Sequence, residues 1–358
     1  MPGDFEFIGR LRSVSDRDAL RMREHFLEPA EAFDPDNLAD HTFFPLEMTW
    51  FYGEPVWEAM GAEQRLLLNR LSFCQSYYST AVAEAATNVL NYEAALRTLI
   101  REDADVALYM AREVVEETTH IETFLIVIRK LLGHYGLTLE DLRAANPSLA
   151  MASRYSMAHS ALGWLRGDLD YYYFTRFPLN VNQKTVERCT IDEPHMHPVV
   201  RTILKNHAID EARHMQMSRA TGKAALRRMG SRLARNLACV GYAHFAASLY
   251  IGRHSRDTAL QRGTRTRTLE LCGVSSAEAA RAYDGWKRRV HQPLDPPLVR
   301  AGRRYYLKQN LAYVDELDVS ARMRAYMKRT VARAYADVAA ANGEDVATLE
   351  FEELRRAS

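Results

Sequence analysis

The chain carries almost no net charge, with 47 Lys and Arg against 46 Asp and Glu in 358 residues. As a whole it therefore lacks the electrostatic footprint of a nucleic-acid or membrane-surface binder. Cysteine is scarce: Cys74, Cys189, Cys239 and Cys272 are scattered and form no CxxC pair. That argues against a thiolate zinc site and a disulfide framework, and fits reduced thiols in a cytoplasmic setting. Long apolar runs are missing too. The longest, Leu237 to Gly252, includes Tyr242 and His244 and reads as a buried helix, too short and too polar to span a membrane. The opening MPGDFEFIGRLRS holds Asp4 and Glu6 and no apolar core, so no signal peptide is expected. There is no HExxH, which removes the zinc-protease reading, and no repeat of solenoid length.

Where glycine and proline thin out, helix formers take over. Residues 1–60 are rich in aromatics and turn formers, such as Asp34–Asn37, and read as an N-terminal arm wrapping the rest. From Ala62 the texture of Ala, Leu, Glu and Arg predicts long helices over about 62–99, 104–133, 152–189 and 196–229. The breaks fall at Arg101–Asp103, Gly136–Pro147 and Asp192–Pro194. Two hairpins joined by one long crossover make an all-α four-helix bundle. The expectation is thus a single domain over 1–358: an arm (1–60), a core bundle (61–229) and peripheral helices (230–358) punctuated at Gly263, Gly273 and Pro293–Pro297. Arg219, Lys223, Arg227, Arg228, Arg232 and Arg235 follow helical spacing without interleaved aromatics. They suit a solvated face or an acidic partner's docking site better than nucleic acid.

Chemistry concentrates on the second and fourth helices. EVVEETTHIETF places Glu117 and His120 at i and i+3, and NHAIDEARHM repeats the spacing with Glu211 and His214, adding His207 one turn earlier. Residues three or four apart share a helix face, and two Glu-x-x-His pairs on neighbouring helices are the donor set of a dinuclear carboxylate site. Residues equidistant from a tight turn lie level in an antiparallel hairpin. Reflecting Glu117 through residue 101 lands at about residue 85, beside Glu84, an acid among Ala, Val and Thr that is costly to bury unless it binds something. Asp210 and Glu116, each just before a candidate ligand, are placed to hold a neighbouring helix's histidine; a local pair of Asp210 with Arg213 is the alternative. His159, His195, His197 and His244 have no spaced acidic partner and are expected in core, loop or surface roles.

Asp210-Glu211-Ala212-Arg213-His214 resembles the DExRH motif of ferritin-like di-iron oxygenases, and Glu117-Thr118-Thr119-His120 resembles its partner. His207, with His197-Pro198 opening the same helix, resembles more narrowly the p-aminobenzoate N-oxygenase family, in which a third histidine joins the usual two. The similarity runs over roughly residues 60–225. It implies a ferritin-like bundle holding two irons through Glu84, Glu117, His120, His207, Glu211 and His214. It also implies O2 as co-substrate, a ferredoxin or reductase as electron donor, and oxidation of a primary amine, an arylamine above all, toward hydroxylamine, nitroso or nitro products. A homodimer is compatible with it; nucleic acid and membrane are not expected partners. Such sites also carry a third-helix glutamate. Reflecting Glu211 through residue 195 gives about 179, where the chain reads Phe177-Pro178-Leu179-Asn180. Either Asn180 stands there as a neutral ligand or water-holder, or Pro178 or a π-bulge re-registers the helix toward Glu187, seven residues or about 10 Å along. Tyr77 and Thr80, on the Glu84 face, and Tyr171–Phe174 are candidate pocket walls, with core packing the alternative. Carbon-directed di-iron oxidation, ferroxidase or iron storage, and a non-catalytic scaffold remain the competing readings.

Overall fold

The computed structural model describes residues 22–100, 104–145, 149–166, 169–250, 259–288 and 297–341. Met1–Ser13, the Arg101–Asp103 turn and most of Pro293–Pro297, for which expectations were drawn, lie outside them. Among the described residues the chain is helical, with one isolated β-bridge between Thr42 and Met196.

Helix α1 (Glu28–Ala32), entered through a π-turn at Arg23–Leu27, and α2 (Pro55–Ala59) belong to the arm. The core helices α3 (Ala62–Ile100) and α4 (Ala104–His134) pack along their lengths. Gly136, at φ 67°, ends α4 in the left-handed conformation that glycine adopts without steric cost. Within the expected crossover break stands a short helix, α5 (Leu139–Ala145), whose start is capped reciprocally: Thr138 N donates to Asp141 Oδ2 at 2.9 Å. The Thr138-x-x-Asp141 spacing is itself a sequence signature of a helix start.

The third expected helix is broken. It comprises α6 (Leu149–Arg166), α7 (Asp170–Thr175) and α8 (Phe177–Thr190), with Pro178 in the first turn of α8. Proline cannot donate to the preceding turn, so the chain restarts there rather than running through. Helices α7 and α8 pack on α9 (Pro198–Arg228) to complete the four-helix arrangement. Beyond it come α10 (Arg232–Tyr250), α11 (Ala259–Leu271), α12 (Ser276–Arg288), α13 (Pro297–Glu316) and α14 (Ala321–Ala341). Gly263 lies inside α11 rather than ending it. Gly273 does end it, at φ 83°, with Val274 N bonded back to Leu269 O at 3.1 Å.

The basic run on α9 is partly matched within the chain. Arg219 and Lys223 both reach Glu316 of α13, and Arg228 pairs with Asp170 at 2.6 Å. Two polar side chains of α3 fix the arm to the bundle. Asn69 accepts from Phe43 N at 2.8 Å and donates to Phe44 O and Thr49 Oγ1, and Arg70 donates to the carbonyls of Ala39 and His41. Phe26, Phe33, Phe43 and Phe44 of the arm are buried in one cluster with Phe73, Tyr77 and Phe124 of the bundle. Their placement drives the arm down over the α4–α9 seam by the hydrophobic effect.

Candidate metal centre

Helix periodicity turns the acids and histidines of α3, α4 and α9 inward, and the fold brings them together. The potential ligand atoms of Glu84, Glu117, His120, His207 and Glu211 all lie within 4.8 Å of one another. Those of Glu113, Glu117 and His214 form a second group of the same tightness, so Glu117 is common to both. All are buried; the histidines are fully so, and Glu84 is the most exposed at 7%. The arm closes one side, with the Phe26 ring 4.7 Å from that of His120.

Partners outside the cluster orient the imidazoles. His120 Nε2 stands 2.9 Å from Asp210 Oδ2, and His214 Nε2 stands 3.0 Å from Glu116 Oε2. Both histidines thereby turn Nδ1 toward the carboxylates: His214 Nδ1 is 3.1 Å from Glu117 Oε1 and 3.4 Å from Glu211 Oε1. Arg213 pairs with the other oxygen of Asp210 at 2.5 Å, so the bridging role and the local ion pair coexist on one carboxylate.

On the third helix it is Glu187 rather than Asn180 that contacts His207, and neither of the two is among the residues whose ligand atoms make up the two groups. Glu187 is fully buried and in contact with His207 Nδ1, whereas Asn180 is only half-buried near the start of α8, its N–H bonded to Arg176 O. Of the two alternatives for the third helix, the structure sets Glu187 beside a candidate ligand and Asn180 near the helix start. Reflection failed because the α8–α9 connection is asymmetric: Glu187 lies three residues from the end of α8 but His207 nine from the start of α9. Helix α9 thus overshoots by about 9 Å at 1.5 Å per residue. Thr80 sits in the support of Glu187, since Thr80 Oγ1 donates to Gln183 Oε1 at 3.3 Å and Gln183 Nε2 to Glu187 Oε1 at 3.0 Å. Tyr77 is buried with its hydroxyl unpartnered near Glu187, Glu84 and Glu211. Of Tyr171–Phe174, Tyr172 hydrogen-bonds Asn91, which donates to Glu113, and Phe174 packs on Tyr242 and Tyr313. Glu113, Arg176, Asn91 and Gln183 were missed in the sequence, although Glu113 stands one turn before Glu117 on the same face.

The electrostatics are those of a site built for cations. Burial and the Glu117 carboxylate push Glu84 up to about 7, with His207 pulling the other way. Burial acts to raise Glu117 as well, but His214 and His120 hold it well below the usual carboxylate range. Burial and His207 act to lower His120, yet Asp210 and Glu117 carry it up to about 9. Despite burial, Glu187 and Glu84 raise His207, and Glu113 and Glu117 raise His214. Oε2 of Glu84 and Oε2 of Glu187 are buried without a hydrogen bond, a costly arrangement unless a cation takes those lone pairs, and His207 Nε2 faces Glu84 Oε1 at 3.2 Å. Four carboxylates, Glu84, Glu113, Glu117 and Glu211, stand in the two groups, and the mixture of imidazole and carboxylate suits iron.

Comparison with curated proteins and with solved structures finds no match. Residues 23–295 match the family described as P-aminobenzoate N-oxygenase AurF, a span that runs from the arm through every residue of the cluster. The chain belongs to the p-aminobenzoate N-oxygenase AurF family and is accordingly a di-iron oxygenase, an oxidoreductase.

Proposed function

We propose that this chain is an O2-dependent N-oxygenase of a primary arylamine, working at two irons held by Glu84, Glu117, His120, Glu187, His207, Glu211 and His214. The observation that carries this reading is the pair of ligand groups sharing Glu117, with His207 as a third buried histidine between Glu84 and Glu187. When bound, the irons supply the activation of O2. One O2, two electrons from a ferredoxin or reductase and two protons convert the amine to a hydroxylamine and water; further rounds lead to nitroso and nitro products.

The protein's own residues do the rest. Asp210 and Glu116 fix the orientation of His120 and His214, as outer partners of ligating imidazoles do. Phe26 and the arm keep bulk water from the centre. Burial, together with Glu187, Glu84 and Glu211, holds the Tyr77 phenol well above its usual range. It therefore stays protonated and offers an O–H to substrate. A single-domain, cytoplasmic homodimer is part of the same proposal. Its subunit contact is assigned to Val89, Tyr92, Leu96 and Leu99, which recur on one exposed face of α3. Among the described residues no helix is long and apolar enough to cross a membrane.

The test is a screen of reduced, iron-loaded protein with O2 and a panel of arylamines, read by product mass. N-oxygenated products are expected. Carbon-hydroxylated or desaturated products alone would establish the carbon-directed oxidase instead, and iron oxidation without organic product the ferroxidase.

A further inference from the structure

We propose that Glu113 is a further carboxylate of the metal centre, its Oε2 serving the cation position beside Glu117 and His214. This rests on the di-iron reading and adds to it a donor that the Glu-x-x-His motifs do not contain. Glu113 is one turn before Glu117 on the inward face of α4 and 1% exposed. A carboxylate oxygen of Glu113 lies within 4.8 Å of ligand atoms of both Glu117 and His214.

The two oxygens of Glu113 are treated differently by the fold. Oε1 accepts from Asn91 Nδ2 at 3.1 Å and from Arg176 Nη2. Asn91 is itself held by the Tyr172 hydroxyl, and the Arg176 guanidinium lies over the Tyr172 ring at 5.7 Å. Oε2 is buried and accepts no hydrogen bond. A carboxylate present only to neutralise a buried arginine would use both oxygens in the fork geometry that arginine favours. Here the arginine and the asparagine crowd one oxygen and leave the other bare, which is costly without a cation to take it. Arg176 also cancels the charge of Glu113, so the centre gains a donor without gaining net negative charge. Arg176 is positioned by the break between α7 and α8, which connects the interrupted third helix to the metal centre.

Anaerobic Fe(II) titration of wild type and Glu113→Gln tests this, with thermal unfolding of the metal-free proteins as the control. Glutamine keeps an acceptor for Arg176 and Asn91 but loses the anionic oxygen. Wild type should take up two irons. The variant should bind one as before and the other roughly tenfold or more weakly, the scale on which losing a supporting group at a metal site is felt, while its metal-free unfolding temperature stays close to wild type. Two irons bound with unchanged affinity would make Glu113 a partner of Arg176 only and overturn the proposal. If wild type itself fails to bind two irons, the di-iron reading fails instead. Should Glu113→Gln not fold, Glu113→Asp keeps the charge opposite Arg176 but withdraws the oxygen by one methylene; it should lose the same iron, and full retention would overturn the proposal equally.

Discussion

Glu117 is the residue on which both ligand groups converge, since it appears in each and contacts both His120 and His214. Glu117→Ala should therefore lose close to both irons after anaerobic reconstitution, and His214→Ala close to one, as read by metal analysis. Full iron content in both variants would refute the ligand assignment. Glu187 and Asn180 give a sharper contrast. Glu187 is buried against His207 with one oxygen unpartnered, so Glu187→Gln should weaken one iron, whereas Asn180→Ala should leave both steps of an Fe(II) titration unchanged. The reverse result would mean that the third helix sits in the register that reflection predicts and that Glu187 only braces His207.

At the scale of elements, the arm and the α8–α9 connection depend on each other. Thr42 N donates to His195 O at 3.0 Å, and His197 N donates back to Thr42 O at 2.9 Å. Asn69 satisfies two arm N–H groups from the bundle side. Asn69→Ala leaves these buried groups unpaired and should cost about 2–3 kcal/mol in chemical denaturation, at the 1–3 kcal/mol typical of an orphaned buried polar group. A cost near zero would show that the arm repacks freely. His197 rests against Phe33, Phe43 and His41 at the start of α9. Burial, His41 and Arg70 push its imidazole down to about 4. A depressed histidine binds fewer protons folded than unfolded, so its contribution is present above about 6.5 and lost as pH falls toward 4. Stability should fall over that window, and His197→Phe, which cannot charge, should flatten the fall; an unchanged slope would place the acid sensitivity elsewhere.

The whole molecule presents an apolar face that the bundle itself does not cover. Tyr92 is 67% exposed and Leu96 and Leu99 are each 55% exposed, and contiguous exposed apolar surface of this kind marks contact with another surface. On the proposed homodimer, Leu96→Lys together with Leu99→Lys should shift the protein to monomer in light scattering. Iron content should be unchanged, because neither residue approaches the ligand groups. A wild type that is already monomeric would refute the assignment of this face.

Local spacing made most of the centre legible in one dimension. Glu-x-x-His pairs and the His207 turn are i, i+3 and i+4 relations, which any α-helix converts into a shared face whatever its neighbours do. Glu84 could be located because α3 ends at Ile100 and α4 begins at Ala104, a nearly symmetric turn that preserves equal heights. The bundle class followed from helix-forming texture and connection lengths. What no spacing contained was the height of α8 against α9. That is set by a connection of turns pinned to the arm through Thr42, and it brings Glu187 rather than Asn180 to His207. Nor could spacing join Asn91 of α3, Glu113 of α4, Tyr172 of α7 and Arg176 beyond it into one buried network. Hydrogen bonds between helices depend on rotation and rise about three axes at once, and those are determined by packing rather than by the order of residues along any one of them.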